Sequence, residues 1–166
     1  MTDGRTEVPR AGAGEREMLR AYLDFHRETL ALKCAGLGDD DLRRRTTPSS
    51  LTLLGIVRHM AEVERSWFRR VLDGQDVPFL WGDGHSAAWD VDGAAPEEAV
   101  AAWQAEIAIA RDIEAAAPSL DVSGVDRRSG EAYSLRRVLV HLTQEYARHN
   151  GHADLLREQI DGTTGV

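Results

Sequence analysis

The chain has 166 residues, 42% of them hydrophobic, which is the size of one domain with one packed core. Its formal net charge of −8 excludes nucleic acid as the main partner, because phosphate binding needs a basic surface, and no apolar run reaches the roughly 20 residues that span a membrane. The single cysteine, Cys34, excludes an intramolecular disulfide and, with a polar N-terminus unlike a signal peptide, predicts a cytoplasmic protein.

Residues 1–14 are polar and contain glycine, which predicts a flexible tail before a domain over residues 15–162. Four stretches of that domain have the 3.6-residue apolar period of amphipathic helices. They begin near residues 15, 50, 96 and 134 and end near residues 37, 72, 117 and 160. Residues 39–45 read as a charged connection or a short helical turn. We see no strand alternation of useful length and therefore predict an all-α four-helix bundle.

Two connections of this bundle are long, residues 75–95 between helices 2 and 3 and residues 119–133 between helices 3 and 4. Structureless loops of such length are usually functional or disordered. The first carries Trp81 and Trp89, so it is interpreted either as a binding lid or as a pair of aromatic plugs at the end of the bundle. His85, in its Gly/Asp-rich part, is expected to be solvated.

The fourth helix carries the most informative pattern in the chain, with metal-capable side chains at positions i, i+4, i+8 and i+11. These are His141, Glu145, His149 and His152. At about 100° per residue they fall within an arc of roughly 80°. Imidazole and carboxylate groups suit zinc and similar divalent metals. Because His141 and His149 lie about 12 Å apart along the axis, only neighbours can share one ion.

The apolar stripe of this helix favours one neighbouring pair. His149 falls within the stripe and Glu145 on its shoulder, whereas His141 and His152 fall at the rim. A carboxylate beside a core is costly unless it is paired or metal-bound. The pair Glu145 and His149 is therefore interpreted either as part of a metal site or as a structural contact between helix neighbours.

A third ligand should come from another helix, because open zinc sites usually take three protein ligands. His59 lies on the shoulder of the apolar face of the second helix. Glu64 lies near the middle of that face and requires a partner such as an arginine, a histidine or a water cluster. His26, on the first helix, is better interpreted as a core histidine with a satisfied hydrogen bond.

Two segments resemble signatures of the DinB/YfiT-like superfamily. Residues 54–68, LGIVRHMAEVERSWF, are similar to its second helix, and residues 133–157 are similar to its fourth helix. The similarity is closest to the actinobacterial branch of mycothiol S-transferases, which is related to the N-terminal domain of mycothiol-dependent maleylpyruvate isomerase. The resemblance implies a DinB-like four-helix bundle, a homodimer, and a metal triad of His59, Glu145 and His149, in which Glu145 replaces a histidine of many members.

The resemblance also implies a function, the transfer of a low-molecular-weight thiol, mycothiol, to an electrophilic small molecule. The expected cofactor is a divalent metal, with zinc as the first choice and nickel or another divalent ion as alternatives. Three residues are candidates for orienting a ligand or accepting the thiol proton, namely Glu64, Arg148 and His152. The alternative interpretations are that Glu64 forms a salt bridge, that Arg148 is solvated and that His152 is merely exposed. Candidates for binding the electrophile are Trp67, Trp81 and Trp89.

Two other functions compete with this interpretation. The bundle could serve a metal-dependent hydrolase that uses water as its nucleophile, or a metal-binding or sensor module without turnover. Turnover that needs thiol would favour the transferase, turnover without thiol the hydrolase, and bound metal without turnover the binding module.

Overall fold

The computed structural model describes residues 4–165, and most of them are helical. The helices are α1 (Glu15–Cys34), α2 (Asp39–Arg43), α3 (Leu53–Glu64), α4 (Pro96–Ala116) and α5 (Leu135–Asp161). Helix α1 packs along α5 and α3 packs along α4, while α3 also contacts α5. The prediction of an all-α four-helix bundle is confirmed, with α2 as the predicted short turn. In the described part of the chain, no helix is long and apolar enough to cross a bilayer.

The helix termini follow local capping chemistry. The Thr52 hydroxyl accepts a hydrogen bond of 2.9 Å from the Gly55 N–H at the start of α3, and Ser134 accepts one of 3.2 Å from the Arg137 N–H at the start of α5. Each bond satisfies one of the backbone donors that a helix N-terminus leaves unpaired. Helix α5 ends at Gly162, whose φ of +79° is a left-handed conformation that favours glycine.

The second predicted helix changes pitch partway along its length. It is α-helical over α3 and continues as a π-helical segment over Arg65–Leu72. The N–H of Asp73 closes this segment onto the carbonyl of Phe68 at 2.9 Å, five residues back. Apolar periodicity over so few residues does not separate the two pitches, so the sequence predicted one continuous helix.

The connection between α4 and α5 contains two short strands, so the prediction of no strand is wrong. Strands β1 (Ser123–Val125) and β2 (Ala132–Ser134) pair antiparallel, with Gly124 opposite Tyr133. Three-residue strands are too short to produce a readable alternation. Position 124 of β1 requires glycine, because a Cβ there would lie 1.9 Å from the backbone oxygen of Val71.

Replacing Gly124 with alanine is expected to lower the free energy of unfolding by about 3 kcal/mol or more, since backbone must move to admit the methyl group. The matched control is Gly151→Ala, because Gly151 lies within α5 and a Cβ there meets no atom within 4 Å. Alanine should raise stability there by about 0.5–1 kcal/mol through helix propensity. Urea unfolding of both variants tests this, and equal effects would contradict the backbone clash.

Part of the predicted N-terminal tail contacts α1. The Arg5 guanidinium donates to the Thr29 hydroxyl at 2.9 Å and lies 4.4 Å from the centre of the Phe25 ring, and the Thr6 hydroxyl donates to Glu28 at 2.8 Å. Residues 1–3 of this tail lie outside the described residues. The domain limits of 15 and 162 stay a prediction, although the helices themselves extend from residue 15 to residue 161.

Candidate metal centre

Three of the predicted site residues converge where α3 faces α5. His59 lies on α3, and Glu145 and His149 lie one turn apart on α5. The Glu145 Oε2 atom is 3.7 Å from His59 Nε2 and 3.8 Å from His149 Nε2, and the two imidazole rings have centroids 4.7 Å apart. Packing of two helices thus places two imidazoles around one carboxylate.

The donor set and its spacing fit a divalent cation. The candidate ligand atoms of the three residues all lie within 4.8 Å of one another. Ligand atoms at the 2.0–2.2 Å typical of tetrahedral zinc would lie about 3.4 Å apart, so small side-chain movements suffice for coordination. Two imidazoles and a carboxylate are also the ligand types that zinc and its neighbours accept. We name these three residues the His-Glu-His cluster.

Burial keeps both histidines of the cluster neutral near pH 7. Desolvation lowers the pKa of His59 to about 4, and nearby His85 and Arg148 lower it further. Desolvation likewise lowers the pKa of His149 to about 4, with the charges of His59, His152 and Arg148 adding to it against the opposing charge of Glu145. A neutral imidazole has a free lone pair, so neither ring has to lose a proton before it binds a metal.

Trp89 covers the cluster from the long connection between the π-helical segment and α4. Its ring stacks on His59 with centroids 4.8 Å apart and lies 5.8 Å from the His149 ring. Gly55 makes this approach possible, because a Cβ there would lie 3.1 Å from the Trp89 ring. The Nδ1 atom of His59 is buried and has no hydrogen-bond partner among residues 4–165, so ring stacking orients this imidazole.

The other predicted residues of α5 flank the cluster. The Nδ1 atoms of His152 and His149 are 3.4 Å apart, which lets His152 orient the ring of His149. Arg148 is exposed, and its positive charge acts on His59 and on His149. His141 instead packs edge-on against Trp67, with centroids 4.6 Å apart, and is not among the three clustered residues.

Trp67 belongs to a different aromatic group from Trp89. It lies in the π-helical segment and contacts Tyr133 of the hairpin, at 5.1 Å between centroids, as well as His141. Trp81 donates from Nε1 to the Arg58 carbonyl at 2.9 Å. The structure therefore places Trp89 alone of the three predicted tryptophans in ring contact with the cluster. His85 is exposed, as predicted.

Glu64 has the arginine partner that its buried position requires. Arg27 of α1 donates from Nε and Nη2 to the two Glu64 oxygens at 2.8 and 2.7 Å, and the Tyr146 hydroxyl donates to Glu64 at 2.8 Å. Trp103 donates in turn to the Tyr146 oxygen at 2.7 Å. We name these four residues the Arg27–Glu64 network. Sequence reasoning missed Arg27, although its position between Leu23 and Leu30 on one helix face indicates burial.

His26 is only partly buried, rather than in the core as predicted, and its ring has a polar neighbour. Its ring Nδ1 lies 3.4 Å from the side-chain nitrogen of Asn150 on α5. The same amide donates to the His26 carbonyl at 3.0 Å. Partial burial and nearby Arg5 lower the pKa of His26. His26 therefore contributes to the packing of α1 on α5 and is not part of the His-Glu-His cluster.

The chain's single thiol is held protonated by its surroundings. Burial raises the pKa of Cys34 to about 12, although Arg157 opposes the shift. At pH 8 only about 0.01% of such a thiol is ionised, against roughly a quarter of a free cysteine. We expect alkylation at pH 8 to be at least about 100-fold slower in the folded protein than in urea. Equal rates, measured with iodoacetamide, would contradict the raised pKa.

A model of the mycothiol-S-transferase family matches residues 18–162 of this chain. The match covers all of α2 to α5 and most of α1, and it includes each residue of the His-Glu-His cluster. No curated protein matches the chain closely enough to add a characterised relative. The chain belongs to the mycothiol-S-transferase family, in agreement with the resemblance in its second and fourth helices.

Proposed function

We propose that this protein is a metal-dependent S-transferase that moves mycothiol onto an electrophilic small molecule. One observation carries the proposal, the convergence of His59, Glu145 and His149 in a chain of the mycothiol-S-transferase family. A bound divalent cation, zinc by preference, would lower the pKa of a thiol that coordinates it. The chain's own thiol, Cys34, is held protonated and is not available for this chemistry.

The residues around the cluster have distinct roles in this proposal. His152 orients His149 through their 3.4 Å contact, and we assign it the proton that the thiol loses. Arg148, whose charge acts on both histidines of the cluster, supplies positive charge that would favour the thiolate. The sulfur lone pair then forms a bond to an electrophilic carbon. In substitution the leaving group departs with its bonding pair, and in addition the π pair moves to the neighbouring atom, which takes up the proton that the thiol lost. We give Glu64 a structural role instead, because Arg27 and Tyr146 engage its oxygens.

Trp89 forms one wall for the electrophile in this proposal. Its partly exposed ring lies against both histidines of the cluster, so an apolar substrate that contacts Trp89 would be held beside the metal-bound end of the thiol. Trp67 lies on the far side of His141 and would contact only a larger substrate. A flat apolar electrophile is therefore the substrate shape that this wall favours.

The test is an assay of the purified protein with zinc or nickel, mycothiol and an electrophile such as monochlorobimane. We expect loss of the electrophile to require both metal and thiol and to stop when a chelator is added. Turnover with metal but without thiol would indicate a hydrolase and contradict the transferase. Stoichiometric metal without turnover toward a panel of electrophiles would leave a metal-binding module.

The family resemblance also supports a homodimer, which we propose as the form in solution. Light scattering at micromolar concentration measures it directly, and a mass near the 18.3 kDa of one chain would contradict it.

A further inference from the structure

A cavity of about 290 Å³ lies beside α3 and the connection that carries Trp89. Its lining includes Arg58, the neighbour of His59 on α3, Ala87 within the 3₁₀ helix His85–Trp89, and Asp90 directly after that helix. Two lining residues are thus sequence neighbours of the cluster and of the tryptophan that covers it, since Arg58 precedes His59 and Asp90 follows Trp89. Its volume is close to the lower limit of ligand pockets, which start near 300 Å³.

Arg58 gives this cavity a hydrogen-bond donor that the protein does not use. The side chain is only 9% exposed, and its guanidinium lies 4.5 Å from the centre of the Trp81 ring. Its Nε and Nη2 atoms donate to the carbonyls of Ala88 and Ala87, each at 3.1 Å. The third nitrogen, Nη1, has no hydrogen-bond partner among residues 4–165 and is not sealed from solvent. It is therefore available to a ligand in the cavity.

The remaining polar groups of the cavity are acceptors. Asp90 and Asp92 are exposed carboxylates that line it, and Asp90 uses one oxygen to accept a weak bond of 3.3 Å from the Asp92 N–H. Arg45 approaches Asp92 at 3.5 Å, a surface contact that leaves other lone pairs of this carboxylate free. Trp81 adds an aromatic surface beside these donors and acceptors.

This combination selects a ligand by its charge. The charges of Asp90 and Asp92 are balanced by those of Arg58 and Arg45, so the cavity favours neither an anion nor a cation. A neutral molecule with several hydroxyl groups can bond to the guanidinium and to the carboxylates, since each hydroxyl donates to a carboxylate or accepts from a guanidinium. Its C–H surfaces can pack on the indole of Trp81, as apolar surface does in other ligand pockets.

We propose that this cavity binds the sugar and polyol half of the thiol substrate. The proposal rests on the proposed function, because mycothiol joins an acylated cysteine to an amino sugar and inositol. With its polyol half between Arg58, Trp81 and Asp90, the thiol end extends past Trp89 toward His59. The cavity thereby selects mycothiol over small thiols that lack the polyol half, while the His-Glu-His cluster supplies the chemistry.

The experiment is a calorimetric titration with the thiol-free N-acetylglucosaminyl-inositol fragment, which is neutral and cannot take part in transfer. We expect it to bind the intact protein equally with and without chelator. Asp90→Asn should weaken binding by about tenfold or more, because it removes a charged acceptor and keeps the shape. The matched control is Asp76→Asn, in the same connection but 97% exposed and outside the cavity lining, which should bind like the wild type.

Two results would overturn the proposal, failure of the fragment to bind the wild-type protein and equal binding by wild type and Asp90→Asn. Kinetics with two thiols provide a second readout. Asp90→Asn should raise the KM for mycothiol about tenfold without changing kcat, and should leave the KM for N-acetylcysteine unchanged. A protein that binds the fragment but transfers no thiol would contradict the proposed function and still support the cavity.

Discussion

Replacing His149 with alanine is expected to remove metal binding and thiol transfer together. His149 is one of three candidate ligands, and the remaining pair of His59 and Glu145 would hold a cation with two protein atoms from two different helices. Loss of a ligand should weaken metal binding by more than about 100-fold, since even outer partners of ligands contribute 10- to 100-fold. Elemental analysis and the transfer assay measure both effects on the same purified protein.

The matched control is His141→Ala on the same helix. His141 lies one turn from Glu145 on the other side and packs on Trp67 rather than in the His-Glu-His cluster. This variant should keep its metal and most of its activity, with a loss of stability of about 1 kcal/mol from the aromatic contact. Full metal occupancy in His149→Ala, or loss of metal in His141→Ala, would show that the wrong face of α5 was assigned.

The apolar period of α5 predicts two of the three cluster residues but not the third. The apolar stripe of α5 alone favours Glu145 and His149 over His141 and His152, because residues four apart share a helix face. The third member, His59, follows from the family resemblance. One helix's period does not determine which turn of a neighbouring helix it meets, so the 3.7 Å approach of His59 to Glu145 depends on packing of the whole bundle.

The position of Trp89 shows a second limit. The sequence indicates that a long connection with two tryptophans is functional or closes the bundle, but it has no period from which to predict contacts. In the structure, arginines of α3 and of the π-helical segment anchor this connection. Arg58 binds two of its carbonyls, and Arg65 and Arg70 both donate to the Pro78 carbonyl, at 2.9 and 2.7 Å. These long-range bonds place Trp89 on His59.

Replacing Arg27 with methionine is expected to lower the free energy of unfolding by about 3–5 kcal/mol, the usual result of breaking a buried ion pair from one side. Glu64 is fully buried and Arg27 is 5% exposed, so water cannot replace the lost guanidinium. Tyr146 alone would remain to donate to the carboxylate.

The double variant Arg27→Met with Glu64→Leu tests whether charge is the cause. Removing both charges leaves an apolar contact of similar volume, and such replacements of buried ion pairs are often neutral. The Tyr146 hydroxyl would lose its acceptor, at a cost of about 1–3 kcal/mol, while still accepting from Trp103. The double variant should therefore be more stable than Arg27→Met at pH 7. Urea unfolding decides the question. A double variant as unstable as the single one would mean that Arg27 stabilises the bundle through its bond to Asp24, which both variants lose, and not by neutralising Glu64.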